Sequence, residues 1–188
     1  MPNAREIEDA YRAAGAAILR LGAVYGEHDY QHRFEPVLRR VRAGRTRIPV
    51  GAGTFLFSRV HVGDVAEAVL AALASPESSA QCFNIVQART SPTGLLYREV
   101  IAAAGARMEL VRVADEALPS DLRETAALSQ HLLASPAKAR AVLGWQDQAG
   151  HETLRRAVTW HLKHPPSGQD RDFSADDAAL QGVSGTEG

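Results

Sequence analysis

Ile18-Leu19-Arg20-Leu21-Gly22-Ala23-Val24-Tyr25-Gly26-Glu27-His28-Asp29 is the stretch on which the fold turns. It begins as an apolar run and ends in a charged turn punctuated by glycines. Such a run reads as a buried strand, and open α/β sheets bind ligands beyond the carboxyl ends of their strands. Gly22 lets the backbone approach a ligand and Gly26 permits a sharp exit. The same spacing also describes a plain strand and turn.

Upstream, Asn3 and Glu6 have capping-box spacing, with Asn in place of Ser or Thr. Ile7, Ala10, Tyr11 and Ala14 follow at helical spacing, and Gly15 stops the helix. Downstream, Phe34 to Ala43 reads as a helix closed by Gly44, and "RIPVGAG" as a short extended piece and a turn. "FLFSRVHV" (55–62) is β-rich, and Gly63 and Asp64 open an alanine-rich helix. "QCFNIV" is a strand, "SPTGLLYREVIAAAG" a helix ending at Gly105, and "MELVRV" (108–113) a strand. "EALPSDL" is irregular or a short helical turn. Ser135 caps "PAKARAVLG" with Pro136 at the first helical position. The helix "HETLRRAVTWHLKH" is stopped by Pro165-Pro166. Alternating strands and helices predict an α/β fold with parallel strands.

Residues 165–188 differ in composition, with five acids against the single base Arg171 and no apolar periodicity. This predicts a disordered acidic tail over 165–188, behind a folded portion over 1–164. The chain has 188 residues, 45% of them hydrophobic, enough to bury a core without disulfides or metals. The net charge of −1 gives no basic field for nucleic acid. The single cysteine, Cys82, reads as a small buried hydrophobe. No apolar run approaches the roughly 20 residues that span a bilayer, and the charged, helical N-terminal stretch is no signal peptide. The expected location is cytoplasmic and reducing.

Taken together, these segments resemble the extended short-chain dehydrogenase/reductases, the NAD-dependent epimerase/dehydratase family. "ILRLGAVYGEHD" resembles that family's "LRxxxVYGP", and "SRVHVGDVAEAVLAAL" (58–73) its "fvHVdDvAxAxxxAL". "QCFNIV" looks like its "xxyNig" strand, with "LLYREVIAAAG" like the helix that follows. Residues 135–166 are similar to its C-terminal segment, in which a short helix ending in Leu-Gly-Tyr/Trp precedes a last helix with a Trp. The matches keep the family's order over roughly residues 3–166.

The resemblance implies a partial Rossmann-like fold, the C-terminal strands of a parallel sheet with their helices, plus the small substrate-binding subdomain. The intact family enzyme uses NAD or NADP. A glycine-rich loop cradles the pyrophosphate, and a Tyr-x-x-x-Lys pair supplies acid/base chemistry. Neither motif is present here. If Glu6 matches the Glu of the family's Lys-x-x-x-Glu, the Lys falls at Pro2 and the Tyr precedes Met1. The expectation is therefore the C-terminal part of an epimerase, dehydratase or reductase, with no catalytic residue of its own and with doubtful cofactor binding in isolation. A non-catalytic binding module or a partner subunit of a separate Rossmann chain is the alternative.

By the resemblance, Leu21, Gly22, Ala23 and Val24 lie by the nicotinamide, and Tyr25 lies at the substrate's edge. His32 and Arg33 line the substrate cavity. Arg59 and His61 are further candidates for substrate contact, although a hydrogen-bonded structural role for His61 reads more readily. Two departures weaken a nucleotide-sugar substrate. Ala23 stands where sugar-nucleotide members often carry Asn. Phe57 stands at the pyrophosphate-gripping Arg, with Arg59 two places on. A smaller or less charged carbonyl or hydroxyl substrate fits better.

His28 and His32 are at i, i+4, but the segment reads as loop and no metal site is assigned. Asp64, His161 and His164 read as helix-end stabilisers. Arg39, Arg40, Arg42, Arg45 and Arg47 read as a solvated basic face. Trp145 and Trp160 are expected to pack the C-terminal subdomain. A sheet cut in half leaves a bare edge, which implies a homodimer or a partner chain there.

Overall fold

The capping box at the start of the chain forms as its spacing predicts. Asn3 accepts from the Glu6 N–H at 3.0 Å, and the Glu6 carboxylate accepts from the Asn3 N–H at 3.1 Å. Helix α1 (Ala4–Ala13) follows. The structure, a computed structural model, describes residues 3–124, 130–168 and 171–184. The chain divides into two compact units, the first of residues 1–25, 58–90 and 133–150, and the second of residues 26–57, 91–132 and 151–188.

In the first unit the opening stretch is two strands rather than one. β1 (Ile18–Leu21) and β2 (Ala23–Tyr25) are separated at Gly22. β4 (Arg59–His61) leads directly into α3 (Val62–Ala74), and β5 (Cys82–Ile85) follows a single helical turn at 76–78. β1 runs parallel to β5, with Leu19 opposite Phe83, and β2 runs parallel to β4, with Val24 opposite Val60. The short helix α5 (Ala137–Leu143) starts one residue later than its sequence signal, with Ser135 Oγ accepting from the Ala137 N–H at 3.3 Å. It closes on Gly144, whose φ of +63° is left-handed.

Val60, Ala68, Phe83, Ile85, Ala139 and Trp145 form the core of this unit. Strand residues from β4 and β5 meet small residues of α3 and α5, so helix and sheet approach closely. Trp145 therefore packs the Rossmann-like strands, not the C-terminal subdomain. Cys82 is half-buried rather than enclosed.

In the second unit α2 (Glu35–Arg42) precedes β3 (Arg47–Val50). α4 (Thr93–Ala103) precedes β6 (Glu109–Arg112), and α6 (Gly150–Lys163) is laid down later in the chain. β3 and β6 pair in parallel, with Ile48 opposite Leu110. The "EALPSDL" segment forms two single helical turns, at 115–117 and 120–122. Among the described residues the three strand pairs are parallel, as the alternating pattern predicted, with one isolated antiparallel bridge between Leu56 and Pro92.

The acidic stretch departs from expectation. Instead of a disordered tail over 165–188, α7 spans Ser174–Ser184 and packs on β3. Asp176 in its first turn is fully buried against the equally buried Arg40. Arg40 thus belongs to the interior and not to a solvated basic face. An isolated 11-residue helix is marginal in water, so its order comes from this tertiary contact.

Phe83 is the largest apolar side chain fully buried in the first unit. Phe83→Ala is expected to lower stability by about 3–5 kcal/mol. Urea denaturation measures this, and a loss below about 1 kcal/mol would show that the β5 core does not carry this unit.

Candidate functional site

The strand residues assigned to cofactor and substrate lie in the first unit. Leu21 ends β1 with 45% of its surface exposed, Gly22, Ala23 and Val24 are half-buried, and Tyr25 is buried. Gly22 has a structural reason to be glycine. A Cβ there would stand 2.7 Å from the Ser58 carbonyl oxygen and 3.0 Å from a Val86 methyl carbon. The missing side chain serves the close approach of the two strands.

His61 and Tyr25 are internal. His61 is 1% exposed and caps α3, its Nδ1 accepting from the Gly63 N–H at 3.0 Å. Its ring meets Tyr25 edge-on with centroids 5.5 Å apart. Gln87 Nε2 donates to the Tyr25 hydroxyl at 3.0 Å, and the Gln87 N–H donates to the Arg59 carbonyl at 2.8 Å. Arg59 is itself buried. For His61 the structure realises the hydrogen-bonded structural role, and Tyr25 belongs to the same buried network.

Asp64 does more than favour a helix dipole. It is fully buried, and its Oδ1 accepts from the Gln148 N–H at 3.2 Å. Its carbonyl accepts from Trp145 Nε1 at 2.9 Å. Asp147 Oδ2 accepts from the Ala88 N–H at 3.1 Å. These bonds fasten the segment after α5 to the start of α3 and the end of β5. Burial pushes the Asp64 carboxyl above its ordinary range, outweighing the Gln148 hydrogen bonds and the nearby His61 that hold it down.

His32 and Arg33 lie in the second unit, on the loop after Gly26. His28 and His32 adopt left-handed φ values of +66° and +48°, so the pair is not helical. Both Arg33 and His32 are half-buried, and Arg33 NH1 donates to Asp29 at 2.6 Å. His161 is buried, its Nε2 sharing a 2.9 Å hydrogen bond with the Gly26 carbonyl, which makes it a loop anchor rather than a dipole partner. Trp160 stacks on His164 and meets His28, and so belongs to this unit as expected.

The second unit also holds a cavity that sequence reasoning missed. Its volume is about 160 Å³, and it opens to solvent. Val50, Phe55, Leu118 and Leu122 give it apolar walls, and Gly51, Gly53 and Gly94 line it without side chains. Its polar lining is Thr93, Tyr97, Asp115, Arg123 and Glu124. Burial pushes the Tyr97 phenol up to about 12, reinforced by the Glu124 charge. Burial also raises the Glu124 carboxyl, against the Thr93 hydrogen bond. Arg123 donates to the Leu118 and Glu116 carbonyls at 2.8 and 2.9 Å, so two of its N–H groups hold backbone. The glycines and Thr93 were the legible part of this cavity, but only the tertiary fold brings "GAG" beside "PTG", where the Gly94 N–H donates to the Gly53 carbonyl at 2.9 Å and the Thr93 N–H to the Phe55 carbonyl at 3.0 Å.

Residues 4–86 match the model of the NAD dependent epimerase/dehydratase family. The fold is similar to that of several solved structures. UDP-glucuronic acid 4-epimerase from Bacillus cereus, in complex with UDP-glucuronic acid and NAD, superposes with a TM-score of 0.65 at 17% identity, over 85% of this chain and 50% of that one. dTDP-glucose 4,6-dehydratase from Bacillus anthracis, in complex with NAD, gives 0.62 at 19% identity, over 85% and 49%. UDP-glucose 4-epimerase from Thermotoga maritima, with UDP-glucose, gives 0.59 at 24% identity, over 79% and 46%. The chain thus spans about half the length of the solved structures it matches. No curated protein matches the sequence. Among the described residues no helix is long and apolar enough to cross a membrane.

No glycine-rich fingerprint stands between a strand and a helix in this sequence.

Gly22→Ala is expected to cost about 1–3 kcal/mol from the clash with Ser58, read from the urea midpoint. An unchanged midpoint would mean that the strands part easily. Asp64 holds its proton more tightly in the folded state than in the unfolded chain. Raising the pH through and above the ordinary carboxyl range, about pH 4, therefore penalises the folded state. Asp64→Asn, which cannot ionise, is expected to gain stability relative to the parent as pH rises from about 4 to about 7. Denaturation midpoints of both proteins across that range test this, and a constant difference would refute it.

Proposed function

We propose that this chain is the C-terminal, substrate-binding part of an NAD(P)-dependent epimerase, dehydratase or reductase, and that alone it is inactive. The observation that carries the reading is the family match over residues 4–86, in a chain that spans about half of each matched structure. When bound, the nicotinamide accepts or returns a hydride. This chain contributes the backbone of Leu21–Val24 beside it, while the phosphate cradle and the acid/base pair belong to another portion.

In this reading the cavity of the second unit receives the substrate. Its lining favours a neutral, sugar-like or small carbonyl or hydroxyl compound. Two carboxyl groups, Asp115 and Glu124, stand against one guanidinium that already holds backbone carbonyls. That balance disfavours a pyrophosphate, in keeping with Ala23 and Phe57. The raised carboxyl of Glu124 favours a neutral group able to donate a hydrogen bond to a hydroxyl or carbonyl. His32 and Arg33, on the loop after Gly26, are additional substrate contacts in this reading.

The first unit favours a partner over a free-standing existence. Among the described residues β1 pairs only with β5, which leaves its other edge bare, with Leu21 at its end. Leu70 and Leu73 of α3 are also exposed. A parallel strand from the missing Rossmann portion, in the same polypeptide or in a partner subunit, suits that edge.

Calorimetric titration with NAD⁺, NADH, NADP⁺ and NADPH is the test. No heat from any of the four is expected. Stoichiometric binding of one of them would overturn the assignment of the cofactor cradle to another portion.

A further inference from the structure

The cavity of the second unit is small. At about 160 Å³ it is close to an engineered cavity of about 150 Å³ that binds benzene, and well below the roughly 300–1,000 Å³ of sites for drug-sized ligands. One six-membered ring fills it, with its substituents free to reach the open side. A nucleoside diphosphate is too large for it.

The polar lining narrows the choice of ring. Thr93 Oγ1 donates to the Phe55 carbonyl at 3.2 Å, and Thr93 also hydrogen-bonds the Glu124 carboxyl. Arg123 engages the Leu118 and Glu116 carbonyls through Nε and NH2. Two groups remain. Among the described residues, neither the Asp115 carboxylate nor the Tyr97 hydroxyl has a hydrogen-bond partner. The Tyr97 phenol, pushed up to about 12 by burial, keeps its proton at neutral pH and is able to donate. Space is kept for Asp115. A Cβ at Gly51 would stand 2.4 Å from its Oδ1 and 3.1 Å from Leu118 Cδ1. The φ of Gly51 is not left-handed, so glycine there makes room for the carboxylate and for Leu118 and is not required by a turn.

Resting on the reading that this cavity receives the substrate, we propose that it selects a single neutral, pyranose-sized ring bearing two or more hydroxyls. Asp115 accepts a hydrogen bond from one hydroxyl and Tyr97 donates to another. A polyol ring suits this lining because each hydroxyl both donates and accepts. Its C–H faces suit the apolar walls of Val50, Phe55, Leu118 and Leu122. A heteroaromatic ring rich in carbonyls would set acceptors against the Asp115 carboxylate, and a phosphate would set charge against like charge. A ring with one hydroxyl leaves Asp115 or Tyr97 unpaired. A site built to hydrogen-bond a hydroxyl discriminates strongly against a ligand that lacks it. Asp115 and Tyr97 are thus the residues that determine specificity.

The test is heteronuclear NMR of the isotope-labelled whole chain, following the backbone amides of Gly51, Gly53 and Gly94. The probes are glucose, galactose, mannose, cyclohexanol and uridine diphosphate. At least one of the three hexoses is expected to shift these amides with millimolar affinity, at least about tenfold more tightly than cyclohexanol or uridine diphosphate. Asp115→Asn keeps the shape of the side chain and removes its charge, and it is expected to weaken hexose binding about tenfold. Tyr97→Phe, which removes only the hydroxyl, is expected to weaken it about fivefold. Hexose binding that is unchanged in either variant overturns the assignment. Uridine diphosphate shifting these amides where no hexose does overturns the selection of a single polyol ring and leaves the cavity as the substrate's site. Unshifted amides with every probe overturn both.

Discussion

The first unit depends on how closely the chain passes Ser58 at Gly22. There the backbone changes pairing partners within one residue. The Gly22 N–H donates to Ile85 of β5 at 3.1 Å, and the next N–H, of Ala23, donates to the Ser58 carbonyl beside β4 at 2.9 Å. A single apolar run thereby serves two parallel pairings. Any side chain at position 22 would occupy the space of the Ser58 carbonyl. Glycine at that point is a demand of packing before it is anything to do with a ligand.

Beyond that switch, a buried polar network holds β2, β4 and the start of α3 together. Tyr25, His61, Asp64 and Gln87 are all removed from water, yet each has a partner within the same unit. Trp145 couples this network to the apolar core by donating to Asp64 from among the residues that pack on Phe83. Buried polar groups are costly unless satisfied, so these hydrogen bonds favour one arrangement of strand and helix, while Asp64 Oδ2 is buried with no hydrogen-bond partner among the described residues. Residues that resemble a ligand site in sequence thus hold strand and helix together.

The second unit is organised differently, around charge. Its α2 helix directs Arg40 inward, where two carboxylates from distant parts of the chain, Asp121 and Asp176, meet it. A buried guanidinium left with one partner missing is strongly unfavourable, which ties the order of α7 to that of α2. The cavity in the same unit is shaped by a different constraint, the close approach of Gly53 to Gly94, whose backbones are joined by a 2.9 Å hydrogen bond.

Local rules made much of this legible. The capping box at Asn3, the stop at Gly44, the left-handed close at Gly144 and the alternation of parallel strands with helices depend on neighbours in sequence, so the sequence by itself determined them. It also determined the family resemblance, because those motifs lie in short contiguous segments. Only the tertiary structure decided the rest. The division at Gly22, the inward role of His61 and Asp64, the cavity between "GAG" and "PTG", and the helix at 174–184 depend on partners tens of residues away. The acidic stretch shows the reason most clearly. Alone it has too little apolar surface and too short a helix to order itself, and a fully buried arginine 136 residues earlier supplies what is missing.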